Sequence, residues 1–246
     1  MATPTPEAHV TQRQDGPIWL RPEQARAGRP AERSRAEITA AAVELADREG
    51  LDAVSMRRVA TALGTGAASL YRYVATRDDL LDLMTDSVAA EYDLPAPSGD
   101  WQTDLLTVAR QARQIMRRHP WLPAQVIGRP ALGPHGADLL EHVLAVLADH
   151  PAAAARKVEA FALLGGMTAL FAQNEAAAAA DDATHRTAYL RRLAADGGHP
   201  RIAALFGPAG AGAGAGAGEG ASAGVGAAPG DPFEDVLVRA LGGVLG

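Results

Sequence analysis

The sequence predicts an all-α protein in which a short N-terminal helical domain is joined to a larger C-terminal helical bundle. Three observations lead to this fold class. Apolar residues recur at the helical period, and no segment shows the sustained period-two alternation of a strand. Capping residues, glycines and prolines divide the apolar segments into separate helices. The 246 residues include no cysteine, so hydrophobic packing rather than disulfides must hold the fold together.

Residues 1–33 differ in composition from the rest of the chain. They are rich in proline, glutamine, threonine and arginine and show little apolar periodicity, which predicts a disordered arm. Its basic side chains have two interpretations: they insert into a DNA minor groove, or they form a solubilising tail, and the second is favoured. The arginines considered are Arg21, Arg26, Arg29 and Arg33 of the arm, together with Arg35 just after it.

Four helices, three of them with an N-cap signal, are predicted to form a first domain over residues 34–95. The first starts at a capping box of Ser34 and Glu37 and stops at Gly50. Two short helices and a further capped helix follow before two prolines close the domain. The three are predicted over Met56–Leu63 after the cap Ser55, over Gly66–Val74, and from the capping box of Thr76 and Asp79, with Pro95 and Pro97 beyond.

The apolar pattern of residues 99–246 predicts a helical second domain. Its predicted helices cover Trp101–His119, Gly136–His150, Pro151 to about Ala180, and Asp182–Ala195. A Gly-Ala repeat over 207–230 predicts a flexible linker, because it offers almost no side chain to bury. Asp231, Pro232 and Glu234 then have the N-cap, first-turn proline and capping-box acid of an apolar terminal helix.

The segment from Ser55 to Tyr73 has the spacing of a helix-turn-helix, with Gly64 in the turn and a second helix able to enter a major groove. Leu70 and Val74 are one turn apart and predict the inward face of that helix. Arginine can bind a guanine edge or a phosphate, hydroxyls can donate to phosphates, and alanine fits beside a thymine methyl. The outward residues are predicted to be Ala67, Ala68, Ser69, Arg72 and Tyr73, with Tyr71 flanking.

By pattern alone, a small structural bundle is as good an interpretation as a DNA-binding motif. The charge distribution adds a local argument. Residues 1–77 hold 11 arginines against 9 acidic residues, whereas the remainder holds 12 basic and 20 acidic residues. A nucleic-acid contact is therefore expected only in the first third of the chain, with an acidic body behind it.

Leu51–Met84, which reads LDAVSMRRVATALGTGAASLYRYVATRDDLLDLM, resembles the DNA-binding domain of the TetR family nearly position by position. The shared features are "VA..LG", "SLYRYV" and "TRDDLL". The resemblance implies that Tyr71 and Tyr73 touch DNA and that Arg77 grips a phosphate. The segments PIWLRPE, at Pro17–Glu23, and RHPWL, at Arg118–Leu122, also resemble segments of actinobacterial members.

The resemblance also implies a function for the whole chain. It predicts a cytoplasmic, homodimeric, DNA-binding transcriptional regulator, a repressor that a small-molecule effector releases from a palindromic double-stranded operator. The second domain would bind the effector and form the dimer, through a four-helix bundle of the helices around 161–174 and 233–245. The alternatives are a dimeric DNA-binding protein with no effector, or a helical enzyme whose first third is structural.

The effector site is the least determined part of the sequence. Single histidines and aromatics in amphipathic helices more often belong to a core or its rim than to a ligand site, so both interpretations stay open. The candidates are His119, Trp121, Gln125, Arg129, His142, Phe161, Phe171 and Gln173.

Other classes of site find little support in the sequence. His135 and His142 are two turns apart, too far for the i, i+4 pair that presents two imidazoles to one zinc ion. Gly220–Gly224 matches the G-x-S-x-G expression, but it lies in the Gly-Ala repeat with no strand before it. The sequence predicts no metal, cofactor or catalytic residue, and no apolar stretch approaches the ~18 residues of a membrane span.

Overall fold

The computed structural model describes residues 16–23, 33–129, 131–179, 182–206 and 231–246, and within them regular secondary structure is helical throughout. The α-helices are α1 (Arg35–Glu49), α2 (Met56–Ala62), α3 (Ala67–Leu70), α4 (Arg77–Ala89), α5 (Trp101–Arg118), α6 (Leu122–Gly128), α7 (Pro134–Val146), α8 (Ala154–Ala179), α9 (Asp182–Ala195), α10 (Pro200–Leu205) and α11 (Pro232–Leu245), and 3-10 helices cover Ile18–Leu20 and Leu51–Ala53. The predicted all-α class is confirmed.

The chain forms two compact units. The first comprises residues 1–87 with 131–135, and the second comprises 88–130 with 136–246. The sequence instead placed the boundary between 95 and 99 and did not assign 131–135 to the N-terminal domain. The linker predicted over 207–230 lies outside the described residues.

Local capping signals place the helix starts of the first unit. The Ser34 hydroxyl accepts a hydrogen bond from the Glu37 amide at 3.1 Å, and the Glu37 carboxylate accepts one from the Ser34 amide at 2.8 Å. Thr76 and Asp79 make the same reciprocal pair at 3.0 and 3.1 Å. Both predicted capping boxes are confirmed, and each satisfies amides that the first turn of a helix leaves unpaired.

Four helices, α3, α6, α10 and α11, differ from the prediction. The recognition-type helix predicted over Gly66–Val74 is shorter, since α3 ends at Leu70 and continues as a turn. The helices α6 and α10 were not predicted. Glu234 does not close a capping box on α11: Asp231 alone caps the helix, while both Glu234 oxygens accept hydrogen bonds from Arg110 at 2.6 and 2.7 Å.

Residues 16–23 correct the prediction of a disordered arm. Ile18 begins a short 3-10 helix and is only 1% exposed, so this segment contributes an apolar side chain to the core of the first unit. The pattern missed it because the three consecutive apolar residues Ile18, Trp19 and Leu20 are too few to show a periodicity. Residues 1–15 and 24–32 lie outside the described residues.

The core of the second unit is built from α5, α7, α8 and α11. The terminal helix α11 contributes four fully buried side chains, and the ring of Phe233 meets the ring of Phe171 edge-on at 5.2 Å. The four are Phe233, Leu237, Leu241 and Leu245. This helix is therefore part of its own chain's core. In neither unit does a described helix have the length and apolar character required to cross a bilayer.

Candidate DNA-binding surface and effector region

The helices α2 and α3 form a helix-turn-helix. Gly64 occupies the turn between them with a φ of 65°, a left-handed conformation that suits glycine. Val59 and Ala60 on α2 are buried, as are Leu70 at the end of α3 and Val74 beyond it. The buried face thus anchors α3 and leaves its other face to solvent.

The solvent-exposed side of α3 and of the turn that follows it carries much of the predicted DNA-contacting set. Ala68, Tyr71 and Arg72 are exposed, with the Tyr71 side chain 52% exposed. Ala67 and Ser69 are half-buried. The Ser69 hydroxyl donates to the Gly66 carbonyl at 2.7 Å and lies 2.9 Å from the Thr65 hydroxyl, so it first stabilises the start of its own helix.

Tyr73 does not lie on this face. Only 7% of the residue is exposed, and it belongs to the core of the first unit. The prediction that Tyr73 faces outward was wrong, because it extended the helical projection past Leu70, where the chain has already entered a turn. Its side chain therefore contributes to the packing of the first unit. The predicted DNA contact of Tyr73 stays a prediction.

Arg77, at the start of α4, is exposed but already has partners. Its Nε donates to the carbonyl of Val54 and its Nη2 to that of Leu51, each at 3.2 Å. The side chain therefore ties α4 to the 3-10 turn that precedes α2. A guanidinium has five N–H donors, so these bonds leave others for a phosphate, and the predicted phosphate contact stays a prediction.

The arginines near the N-terminus have a role that the sequence did not suggest. Arg21 forms an ion pair with Asp79, whose side chain is 2% exposed, and both Arg33 and Arg35 donate to backbone carbonyls of the first unit. Burial alone would raise the pKa of Asp79, but hydrogen bonds from Arg21 and Thr76 lower it below the ordinary value. Arg26 and Arg29 lie outside the described residues.

Two of the residues predicted to bind the effector, His119 and Trp121, contact other side chains of the second unit. His119 is 7% exposed; its Nε2 lies 2.9 Å from the Glu91 carboxylate, and its ring meets Trp121 edge-on at 5.9 Å. Burial would raise the pKa of Glu91, but Arg118 and His119 lower it. These contacts give His119 and the buried Trp121 a structural role at the end of α5.

Gln125 on α6 has a different environment. It is 9% exposed, and its Oε1 is buried without a hydrogen-bond partner among the described residues. An unsatisfied buried amide oxygen is costly and calls for an explanation. Arg129, which follows α6, is half-buried.

The remaining residues predicted to bind the effector lie in different parts of the second unit. Phe161 and Phe171 pack against the apolar core, and His142 borders a cavity of about 20 Å³. Gln173 borders a larger cavity of about 350 Å³ between α5, α6 and α8. The structure does not bring the eight candidates to one site. The sequence missed seven residues around the larger cavity, whose only signal is amphipathic spacing; they are Met116, Arg117, Pro120, Pro123, Ala172, Glu175 and Ala176.

The larger cavity is mostly apolar with one charged wall. The Glu175 carboxylate accepts hydrogen bonds from Arg113 at 2.7 Å and from Arg117 at 2.9 Å. Burial would raise the pKa of Glu175, but these two guanidinium groups lower it. In the part of the chain that the structure describes, no three His, Cys, Asp or Glu side chains are grouped as a metal site, and His135 instead lies 3.0 Å from Asp86.

Two family models match the chain. The model "Bacterial regulatory proteins, tetR family" matches residues 38–84, and the model "Tetracyclin repressor-like, C-terminal domain" matches residues 94–213. The first match contains α2, the turn and α3, and the second contains α5 to α10.

Similar curated proteins come from actinobacteria. The chain is 48% identical over 112 residues to the HTH-type transcriptional repressor DrrR1 of Streptomyces coeruleorubidus, a match that covers 45% of this chain and 42% of the relative. It is 40% identical over 134 residues to an HTH-type transcriptional regulator of Saccharopolyspora erythraea, covering 54% of this chain and 56% of the relative. The matches thus span about half the length of these relatives.

Among solved structures, the chain is similar to ActR of Streptomyces coelicolor. Its apo structure has 30% identity and a TM-score of 0.69, with 88% of this chain and 97% of the other covered. The complex of the TetR family protein ActR with actinorhodin has 27% identity and a TM-score of 0.67, with the same coverage. A further ActR structure contains (S)-DNPA, with 28% identity and a TM-score of 0.68.

Proposed function

The chain belongs to the TetR family of bacterial regulatory proteins, and we propose that it is a homodimeric transcriptional repressor that a small-molecule effector releases from a palindromic DNA operator in the cytoplasm. The observation that carries the proposal is the solvent face of α3. Together with the turn that follows α3, it presents Ala68, Tyr71 and Arg72 to solvent. Leu70 and Val74, in the same segment, are buried in the core.

The chemistry of this face suits a DNA major groove. Arg72 can form a bidentate pair with a guanine edge or bind a phosphate, and the Tyr71 hydroxyl can donate to a phosphate oxygen. Ala67 and Ala68 are small and let the helix approach the base edges closely. With few long side chains available, sequence preference would rest partly on DNA shape.

The dimer is proposed to form through α8 and α11. Leu170 on α8 is 51% exposed, and Gly166, Gly242 and Gly243 have no neighbouring protein atom within 4 Å of where a Cβ would lie. Small residues on two packed helices allow the same helices of a second copy to approach closely. A two-fold dimer would place its recognition helices about 34–36 Å apart, matching successive major grooves.

The effector site is proposed at the 350 Å³ cavity and the neighbouring α6. This volume lies at the lower end of the range of small-molecule pockets, which are mostly apolar with a few polar groups. Gln173, Arg117 and the orphaned Oε1 of Gln125 would supply the polar contacts. The ActR complexes support an organic effector, because that relative binds actinorhodin and (S)-DNPA.

The polypeptide segment between α6 and α7 would connect effector binding to DNA release. Residues 131–135 follow α6, belong to the first unit and lead into α7. Gly133 packs directly against the Asp86 carboxylate of α4, which also lies 3.0 Å from His135 Nδ1. A shift of α6 on effector binding would pull on this segment and thus on α4, which follows the recognition helix. The effector moves the equilibrium only by its differential affinity for the two states.

A gel-shift titration tests DNA binding, using DNA from upstream of the protein's own gene at fixed salt with nonspecific competitor. We expect a discrete, competitor-resistant complex that Tyr71→Ala and Arg72→Ala weaken by about tenfold or more, as loss of a base or phosphate contact predicts. The matched control is Arg48→Ala, on the exposed end of α1. If no specific duplex emerges there or from a randomised-site selection, the repressor proposal is wrong.

Adding small molecules to the preformed complex tests effector release, with actinorhodin as the first probe because it is bound in the solved ActR complex. Dissociation that Gln125→Leu abolishes, while operator affinity is retained, supports the effector site. The competing proposal is an effector-independent DNA-binding protein. It would be favoured if a broad library of organic compounds neither releases the DNA nor raises the melting temperature of the protein.

A further inference from the structure

The turn before α3 is held by an arginine that precedes α1. Arg33 Nη2 donates to the carbonyl of Leu63 at 2.7 Å. Leu63 is the C-cap of α2, so its carbonyl belongs to the turn that leads into the recognition helix. This bond joins residues 30 positions apart in the sequence.

The turn after α3 is held by a second arginine, two residues later. Arg35 Nε donates to the carbonyl of Tyr73 at 3.0 Å, at the point where the recognition helix has become a turn. The same guanidinium donates to the carbonyls of Ile18, Arg21 and Pro22 at 3.3, 2.8 and 3.2 Å. One side chain therefore fastens the N-terminal segment and the end of α3 together.

Residues 17–23, here called the clasp, contact the same part of the first unit as Arg35. Ile18 anchors the clasp in the core, and Arg21 pairs with the buried carboxylate of Asp79 at the start of α4. Glu23 accepts a hydrogen bond from the Arg35 amide at 2.6 Å, so its carboxylate lies against the first turn of α1. The clasp thus touches α1 and α4, and through Arg35 it reaches the end of α3.

We propose that Arg33 and Arg35 are positioning residues for DNA recognition, which fix the two ends of α3 while the clasp holds Arg35 in place. This inference rests on the proposed DNA-binding function. A helix of four residues such as α3 has no stability of its own, and only Leu70 within it is buried. Its orientation therefore depends on what holds the turns on either side.

The geometry of Arg35 requires a guanidinium. Its four acceptors are backbone carbonyls on two separate segments, and they are reached by Nε, Nη1 and Nη2 at once. A lysine ammonium keeps the charge but is a single point donor that cannot span both segments. A lysine would, in contrast, serve well as a direct phosphate ligand. Arg35→Lys therefore distinguishes a residue that positions α3 from a residue that binds a DNA phosphate directly.

Arg35→Lys is the first test variant, with Arg48→Lys at an exposed site of α1 as the matched control. The probe is a duplex selected from a randomised library by the wild-type protein, and the melting temperature verifies folding. We expect Arg35→Lys to weaken binding about tenfold, as for the loss of one or two charged hydrogen bonds, and Arg48→Lys to have no effect. Wild-type affinity in folded Arg35→Lys would overturn the proposal.

Ile18→Val is the second variant, and it changes no charge or polar group. Because Ile18 is 1% exposed, it cannot touch DNA, so a loss of affinity in a folded Ile18→Val protein would arise through the clasp. Arg33→Ala should weaken binding through the other turn. If both proteins bind like wild type, α3 is positioned without the clasp and the proposal is wrong.

A readout without DNA separates this proposal from the DNA-binding function. The Tyr73 and Val74 amides donate to the Leu70 carbonyl at 2.9 and 3.0 Å, and their hydrogen exchange reports on the end of α3. We expect faster exchange of these two amides in Arg35→Lys, with the central amides of α1 unchanged. If the wild type selects no duplex, the proposed function fails, while unchanged exchange in Arg35→Lys refutes the clasp in either case.

Discussion

Replacing Phe233 by alanine should strongly destabilise the second unit. The ring is 1% exposed, lies 5.2 Å from the Phe171 ring, and has the Arg113 guanidinium carbon 4.9 Å from its centroid. Truncation of a buried phenylalanine costs about 3–5 kcal/mol. This range already includes much of the ~0.5–1.5 kcal/mol of an aromatic pair and the ~1–2 kcal/mol of a partly desolvated cation–π contact. We therefore expect a loss of about 4 kcal/mol.

Urea unfolding measures this loss. With a slope of roughly 2 kcal/mol per molar urea, the midpoint of Phe233→Ala should fall by about 2 M. The protein concentration is kept fixed, because the proposed dimerisation would make the apparent stability concentration-dependent. The control is Phe206→Ala, the same chemical change at a residue that is 41% exposed, where a change within about 0.5 kcal/mol is expected. An unchanged midpoint for Phe233→Ala would refute the docking of α11 on its own chain.

Three further perturbations test other parts of the structure. Tyr73→Ala should lower the thermal midpoint of the first unit as well as DNA affinity, because the ring is buried, and a loss of affinity with no thermal change would return Tyr73 to the DNA surface. Leu170→Glu should make the protein monomeric in sedimentation, whereas Val158→Glu, similarly exposed but about 120° around the same helix, should remain dimeric. Because the folded pKa of Asp79 is lowered, its contribution to stability is present above its ordinary pKa of 3.8 and is lost as pH falls through the lowered value. Arg21→Met should therefore flatten the acid dependence of the urea midpoint, and an unaltered dependence would mean that Arg21 does not set this pKa.

Features defined by neighbouring residues could be predicted from the sequence. The capping boxes at Ser34 and Thr76 each join residues three positions apart, so the sequence itself brings donor and acceptor together. Gly64 likewise marks the turn of the helix-turn-helix, because few other residues adopt its positive φ. The helical class and the spacing of the helix-turn-helix therefore followed from local pattern. Interpreting that spacing as a DNA-binding motif required the resemblance to a known family.

Features that depend on distant partners could not be predicted in this way. Glu234 has the position of a capping-box acid, yet it binds Arg110, which is 124 residues away in the sequence. A charged partner on α5 outcompetes the local amide, because a bidentate arginine–carboxylate pair is stronger than a single bond to a backbone N–H. The contact between His119 and Glu91 could not be predicted for the same reason, since no local signal shows which histidines will meet a distant carboxylate.

Tyr73 shows how the two kinds of information interact in the DNA-binding surface. The family motif identifies the segment around this residue, but the side chain lies in the core and its carbonyl is held by Arg35, which is 38 positions earlier. Motif recognition thus locates the recognition helix without revealing what orients it. If the clasp sets that orientation, relatives that share the motif but lack the clasp must stabilise α3 by other means. Grafting a motif alone would then transfer its contact residues without transferring its affinity.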